Sequence, residues 1–484
     1  MIFQIILYIL LGILGLLLLI TLIGLIGFFL IFRSCDKDRS DLTFNFRSSD
    51  KPVDVESMEF KEHIINRLYE IYEQNGFFPT YVKVFLSGDK RWDIRAMWEN
   101  FVREPDIRWQ ILFYAIPQIL LKKRRPISYS LKISQNDWFA SKMHFPIFSA
   151  LVVEQLIHFL MNNKLDNAEL SKKAEALVDR TLGQLIDKGG MTEKSNKVLY
   201  KTIDSAGIAN PIFNLVMNKS WSFPDCDTTG ILLSVYQLYL TASEKGYFKD
   251  SGNVIAKVIN VLHETRYVSE LSGIFRDVYS YTLPIGRRRL RPGLKAFLTY
   301  FSQGMNDADS SINIDVLQAL AINWETWQIE SNDQVLKQIN STLEYLHFLA
   351  VNNLLFSEGL CQFYTYTALT YLWGRFASAF NKLGEIDRKK FDQSEFVPII
   401  HQCILDYWIK TFSKNRVEVS WNIFEYLLLI EAFPILSDEL KRLLENTVNQ
   451  LTPNELGYEF FCVLYPLKTI YSSPSFVFTL LLNI

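Results

Sequence analysis

Two short stretches of this chain set a pair of carboxylates one residue apart and follow them with hydroxyl residues. They are Pro224-Asp225-Cys226-Asp227-Thr228-Thr229-Gly230 and Asn306-Asp307-Ala308-Asp309-Ser310-Ser311-Ile312. Two kinds of chemistry fit the pattern. A carboxyl held beside another carboxyl in apolar surroundings resists ionisation and can serve as a general acid. The same residue types at a helix start cap free backbone N–H groups and favour the positive end of the helix dipole. Each stretch runs into an apolar segment that reads as a buried helix, Ile231-Leu232-Leu233-Ser234-Val235-Tyr236 in one and Ile314-Asp315-Val316-Leu317-Gln318-Ala319-Leu320 in the other. Both roles, acid and cap, stay open on the residues alone.

Helices must position these groups. From Met58 onward apolar residues recur at three- and four-residue spacing, as in His63-Ile64-Ile65-Asn66-Arg67-Leu68-Tyr69-Glu70-Ile71-Tyr72, and strand-like alternation is rare. Residues 58–484 therefore read as one all-α domain. The second acidic pair follows the first after about 82 residues, and Asn136-Asp137-Trp138, ahead of Phe145-Pro146-Ile147-Phe148, precedes it by about 88; a period of that size fits two helical hairpins per step. Further apolar helices are expected near Gly359, Trp421 and Ser475. Inner helices of a closed ring are apolar all round and outer ones amphipathic, and Asp438-Glu439-Leu440-Lys441-Arg442-Leu443-Leu444-Glu445 is amphipathic between two apolar segments. The alternation predicts a ring.

Ahead of that body, Ile5 to Phe32 carries no charge. As a helix, about 28 residues span roughly 42 Å, more than the roughly 30 Å hydrocarbon core of a bilayer. Residues 1–33 are expected to form an uncleaved, single-pass transmembrane anchor, and 34–57, with Arg39-Ser40-Asp41 and Arg47-Ser48-Ser49-Asp50-Lys51-Pro52, a polar linker. Arg33, Lys37 and Arg39 follow the span and no basic side chain precedes it, so the positive-inside tendency puts the body in the cytoplasm. The five cysteines, Cys35, Cys226, Cys361, Cys403 and Cys462, are odd in number and mostly lie in apolar runs, which suits buried thiols in a reducing compartment.

Composition excludes some functions. With 50 Lys and Arg against 52 Asp and Glu, for a net charge of -2, no general attraction to nucleic acid is expected. The six histidines form no zinc pattern and no phosphate-binding glycine loop is present, so neither zinc nor nucleotide-dependent catalysis is expected. No cofactor is expected, magnesium entering only with a diphosphate substrate. Two basic clusters, Lys122-Lys123-Arg124-Arg125 and Arg287-Arg288-Arg289-Leu290-Arg291, read as solvated faces or as contacts to anionic headgroups. The second lies between Pro284-Ile285-Gly286 and Pro292-Gly293, which places it on a turn, from which Arg287 and Arg289 could clamp a diphosphate. The aromatic share of 14% is high. Trp221, Tyr236, Trp324, Trp327, Phe363, Tyr364, Tyr366 and Trp373 lie in or beside the expected inner helices, as core packing or as faces worth roughly 0.5–2 kcal/mol each to a cation. Trp324 and Tyr364 are the candidate substrate contacts among them.

Pro224-Asp225-Cys226-Asp227-Thr228-Thr229 resembles the Asp-x-Asp-Asp-Thr motif of the protonation-initiated (class II) terpenoid cyclases. Over most of residues 135–484 the order of segments is similar to that of bacterial proteins with the (α/α)6-type toroid of squalene–hopene cyclases and protein prenyltransferases. Asn306-Asp307-Ala308-Asp309-Ser310-Ser311-Ile312-Asn313 follows the first motif, and Tyr471-Ser472-Ser473-Pro474-Ser475-Phe476 comes near the C-terminus. The resemblance implies Asp227 as the general acid that protonates an alkene or epoxide and Asp225 as the residue that tunes it. Asp307 and Asp309 would then contact substrate. Thr228 stands where the motif has its third acidic residue, a form that resembles some drimane-type sesquiterpene cyclases. The repeated Gln-Trp elements of triterpene cyclases are absent, as is the adjacent Asp pair that binds magnesium diphosphate. The function implied is a membrane-anchored, class II-like isoprenoid cyclase, an isomerase or lyase by class, that draws lipid from the bilayer. Two other readings stand beside it: a non-catalytic toroid scaffold that binds a lipid or a protein partner, and a glycan-active (α/α) barrel in which Asp309 and Asp315 help supply two carboxylates.

Overall fold

A computed structural model of the chain describes residues 54–85, 141–162, 168–188, 199–200, 224–248, 251–282, 286–289, 293–299, 301, 308–356, 366–413, 423–433, 463–464 and 467–484, with isolated helical positions within 8–23 and 438–444. In chain order the elements are α1 (Met58–Asn75), β1 (Thr80–Phe85), β2 (Ser141–Met143), α2 (Pro146–Asn162), α3 (Ala168–Lys188), α4 (Cys226–Glu244), α5 (Gly252–Glu264), α6 (Tyr267–Gly273), β3 (Phe275–Asp277), β4 (Tyr279–Thr282), β5 (Gly286–Arg289), β6 (Lys295–Phe297) and α7 (Ser310–Ile322). They continue with α8 (Asp333–Val351), α9 (Tyr366–Lys382), α10 (Glu385–Phe391), α11 (Phe396–Ser413), α12 (Ile423–Ala432), β7 (Val463–Leu464), β8 (Leu467–Ser472) and α13 (Pro474–Leu482). The body is mostly helical, as its periodicity predicts.

Two sorts of helix follow from two sorts of sequence. In α1 the buried residues Phe60, Ile64, Ile65, Leu68, Ile71 and Tyr72 recur every three or four positions and form one stripe. Ser57 accepts from Phe60 N at 3.3 Å to start that helix, and Gly76, at φ 71°, closes it in the left-handed region that favours glycine. By contrast, α2 is buried without a break from Pro146 to Ile157, and α13 from Pro474 to Leu482. Such helices must be covered on all sides. They are: α2 packs on α4, α4 on α7, α7 on α9, α9 on α12, α12 on α13, and α13 back on α2, a closed circuit of contacts. Outside it, α3 covers α2, α5 covers α4, α8 and β6 cover α7, α11 covers α9 and α1 covers α13.

The circuit is tight in places. A Cβ built on Gly374 of α9 would lie 2.7 Å from the Ala432 Cα of α12, a backbone atom that cannot swing aside. Gly374→Ala is expected to destabilise the body by about 1–3 kcal/mol by forcing these helices apart, read as a lowered urea midpoint; an unchanged midpoint would mean that the seam is loose.

Short strands gather at the N-terminal ends of the buried helices. β2 leads directly into α2 and β8 into α13, and both pair antiparallel with β1, giving the sheet order β2-β1-β8-β7. At α4 the same place is taken by single backbone bonds, from Asp225 N to Tyr200 O at 3.2 Å and from Cys226 N to Thr299 O at 2.9 Å. The expected helices near Trp421 and Ser475 begin at Ile423 and Pro474. The one expected near Gly359 begins at Tyr366, with 357–365 outside the described residues. The expected anchor, 1–33, and linker lie almost wholly outside them; Tyr8, Leu16, Leu18, Leu19, Leu22 and Ile23 are exposed helical positions. No helix among the described residues is long and apolar enough to cross a membrane.

Candidate functional site

The two acidic stretches do start helices, and the first carboxylate of one aligns with the second of the other. Asp225 precedes α4 and accepts from Thr228 N at 2.8 Å; Asp309 precedes α7 and accepts from Ser311 N at 2.8 Å and Ile312 N at 3.3 Å. Four residues on, Thr229 Oγ1 donates to Asp225 O at 2.7 Å and accepts from Tyr200 N at 3.0 Å. Asn313 repeats the device, donating to Asp309 O at 2.8 Å and exchanging two 2.9 Å bonds with the Phe297 backbone. The structural counterpart of Asp225 is therefore Asp309 and not Asp307, a correction of two residues to the sequence echo. Asp227 matches Ser311, and Asp307 lies outside the described residues.

Inside the circuit sits a group of charges. Arg375 of α9, buried, forks onto Glu154 of α2, with Nη2 to Oε2 at 2.7 Å and Nε to Oε1 at 3.2 Å, and reaches Asp315 Oδ1 of α7 at 3.4 Å. This is a charge-assisted bidentate pair with a third member. Burial pushes the Asp315 carboxyl well above the usual carboxylate range; Arg375 opposes that, while Asp227, Glu154 and Asp309 add to it. Asp227 is 7% exposed and Asp315 0%. Near the C-terminal end of α2, burial lowers the His158 imidazole; Glu431, near the end of α12, is exposed. Tyr371, whose ring lies 5.8 Å from the Arg375 guanidinium, accepts from Gln155 Nε2 at 3.2 Å, and Asn483 Nδ2 donates to Gln155 Oε1 at 2.7 Å. Helices α2, α9 and the end of α13 are thus tied by one polar chain.

Other sequence candidates fall elsewhere. Trp324, buried, follows the C-terminal end of α7, about 20 Å along the axis from Asp309, and stacks 5.6 Å from Phe391 of α10. It lies beyond the last turn of α7, at the opposite end from the Asp309 cap. Trp373 likewise donates to His401 Nδ1 of α11 at 3.2 Å, and Trp327 to Leu262 O of α5 at 3.3 Å. Arg287 and Arg289 lie in β5, opposite Tyr281 and Tyr279 of β4, and not on a turn. A short hairpin absorbs the run, the backbone pairing across to a Tyr-Ser-Tyr-Thr segment whose composition favours extended chain. Tyr364 lies outside the described residues. Cys226 is buried and its Sγ donates to Leu298 O at 3.2 Å; burial holds the thiol well above its usual range, hence protonated. No group of residues suited to hold a metal occurs among the described residues.

Sequence reasoning missed Glu154, Arg375 and Tyr371. The signal of the two charges is visible in retrospect: each is single within an apolar run, as in Val152-Val153-Glu154 and Trp373-Gly374-Arg375-Phe376. A charge on a helix buried all round needs a partner on another helix. Chemically, the cluster can hold a proton on a carboxyl away from water and can stabilise a neighbouring charge. Comparison of the chain with protein-family models, with curated proteins and with solved structures gives no match.

Proposed function

We propose that the body is an (α/α)6-type toroid, carried by an N-terminal membrane-crossing helix with the body on the cytoplasmic side, and that it is a class II-like isoprenoid cyclase whose acid is Asp227. The observation that carries the reading is that Asp227 on α4 and Asp315 on α7 are both buried on helices that pack together, near enough for the charge of Asp227 to act on Asp315. The closed circuit of six buried helices supports the toroid. Asp227 would give its proton to an alkene carbon: the O–H bond breaks, the π pair forms the new C–H bond, and the next alkene closes a ring on the resulting cation. Loss of a proton from the final cation leaves an isomer of the substrate. No cofactor is needed, and the substrate would enter from the adjacent bilayer.

A second reading, the non-catalytic scaffold, has its own support. Asp225 and Asp309 spend side-chain oxygens as caps, and Arg375 is satisfied by Glu154. The glycan-active reading needs two carboxylates on an open groove, and Asp309 and Asp315 are buried. Heavy water separates catalysis from scaffolding. Full-length protein in phospholipid vesicles, given acyclic sesquiterpenoid and triterpenoid chains in heavy water, is expected to release cyclic product carrying one added deuterium, read by mass spectrometry. Absence of cyclic product from every chain tried, or product with no deuterium, would leave the scaffold standing.

A further inference from the structure

One guanidinium faces two carboxyls in the interior, and it treats them unequally. Glu154 takes two bonds, at 2.7 and 3.2 Å, whereas Asp315 takes one at 3.4 Å through Oδ1. Asp315 Oδ2 is buried and has no hydrogen-bond partner. Gln318, three residues on and on the same face of α7, has Oε1 buried and unpartnered too, an acceptor in want of a donor. One positive charge in a dry interior compensates one negative charge, and the bidentate geometry assigns it to Glu154.

We propose that Asp315 is the neutral carboxylic acid of this cluster, with its proton on Oδ2, and that it is a positioning residue for Asp227. Uncharged, it adds no second negative charge beside the anion left once Asp227 has given its proton to carbon. The role rests on the cyclase reading; the protonation does not. The groups facing Asp315 agree with it. From α4 come Asp227 and Cys226, from its own helix start Asp309, from α2 Glu154, from α6 Tyr267 and from α9 Arg375. The remaining elements on α7 bring no buried charge: Lys295 of β6 and Asp333 and Lys337 of α8 are exposed, Glu344 and His347 are half-buried, and Tyr345 is the buried titratable group of α8.

Burial raises the folded-state value of Asp315, so the folded chain binds more protons than the unfolded chain above the ordinary Asp range. Its contribution to stability is full below that range and is lost as pH rises through the raised value. Asparagine copies the neutral acid, with its carbonyl toward Arg375 and its amide in place of the O–H.

The test uses the full-length protein and two variants. Asp315→Asn is expected to keep or raise the melting temperature at pH 7, to flatten its decline toward alkaline pH, and to remove a protonated-carboxyl stretching band from the infrared spectrum. Turnover of isoprenoid should persist in this variant, with the part of the alkaline decline that Asp315 contributes gone. Glu154→Gln, which frees Arg375 for Asp315, should also abolish the band by letting Asp315 ionise. A lowered melting temperature in Asp315→Asn, failure of that variant to fold, or a protonated-carboxyl absorption no weaker than in wild type would overturn the proposal. If the band and melting behave as expected while wild type turns over no isoprenoid, the cyclase reading falls and the neutral Asp315 stands.

Discussion

Arg375→Ala is expected to lower the stability of the body by about 3–5 kcal/mol, the range for removing one partner of a buried ion pair. The effect does not come from lost attraction alone. Glu154, 6% exposed, would keep a charge or take up a proton with nothing to compensate it, on a helix buried all round. The guanidinium also joins α2, α7 and α9, so its loss loosens three members of the circuit at once. Urea unfolding followed by circular dichroism reads the change as a shift in midpoint. A double variant, Arg375→Met with Glu154→Leu, removes both charges and fills similar volume, and is expected to recover most of the loss, because apolar replacements of buried ion pairs are often neutral or better. A midpoint unchanged in Arg375→Ala would mean that water reaches the cluster and that the interior is not dry.

Asp227→Asn is expected to leave the fold intact and to lower isoprenoid turnover by about 10²–10⁴-fold, the usual contribution of a positioned general acid. The amide fits the space of a carboxylic acid and cannot give a proton to carbon. Asp225→Ala is the comparator. It removes the acceptor of the Thr228 N–H and should cost about 0.5–2 kcal/mol of stability, the usual value of a helix cap, with turnover retained once the protein is folded. The two aspartates sit two residues apart, and the account gives them opposite signatures: stability for Asp225, turnover for Asp227. Equal loss of turnover in both would return Asp225 to a tuning role in the acid pair.

The helical body, the buried run of the inner segments and the capping chemistry were legible because each rests on local spacing. Asp225 and Asp309 cap as their position before an apolar run predicts. The two-residue shift between the stretches was not legible, since both contain Asp-x-Asp; which aspartate caps is decided by contacts outside the motif, from the backbone at Tyr200 and Thr299 and at Phe297. Arg375 and Glu154 are 221 positions apart, and no local rule joins them. The strands escaped because several hold only two or three residues, too short to alternate. The distance of Trp324 from the caps follows from its place in the chain, two residues beyond the end of α7 and so at the opposite end of that helix from Asp309.

The most direct measurement is the rate of cyclic product formation from an acyclic isoprenoid by wild type, Asp227→Asn and Asp225→Ala, in vesicles and with folding of each verified. The account predicts product from wild type and Asp225→Ala and a loss of about 10²-fold or more in Asp227→Asn. Product formed as fast by Asp227→Asn as by wild type would contradict it.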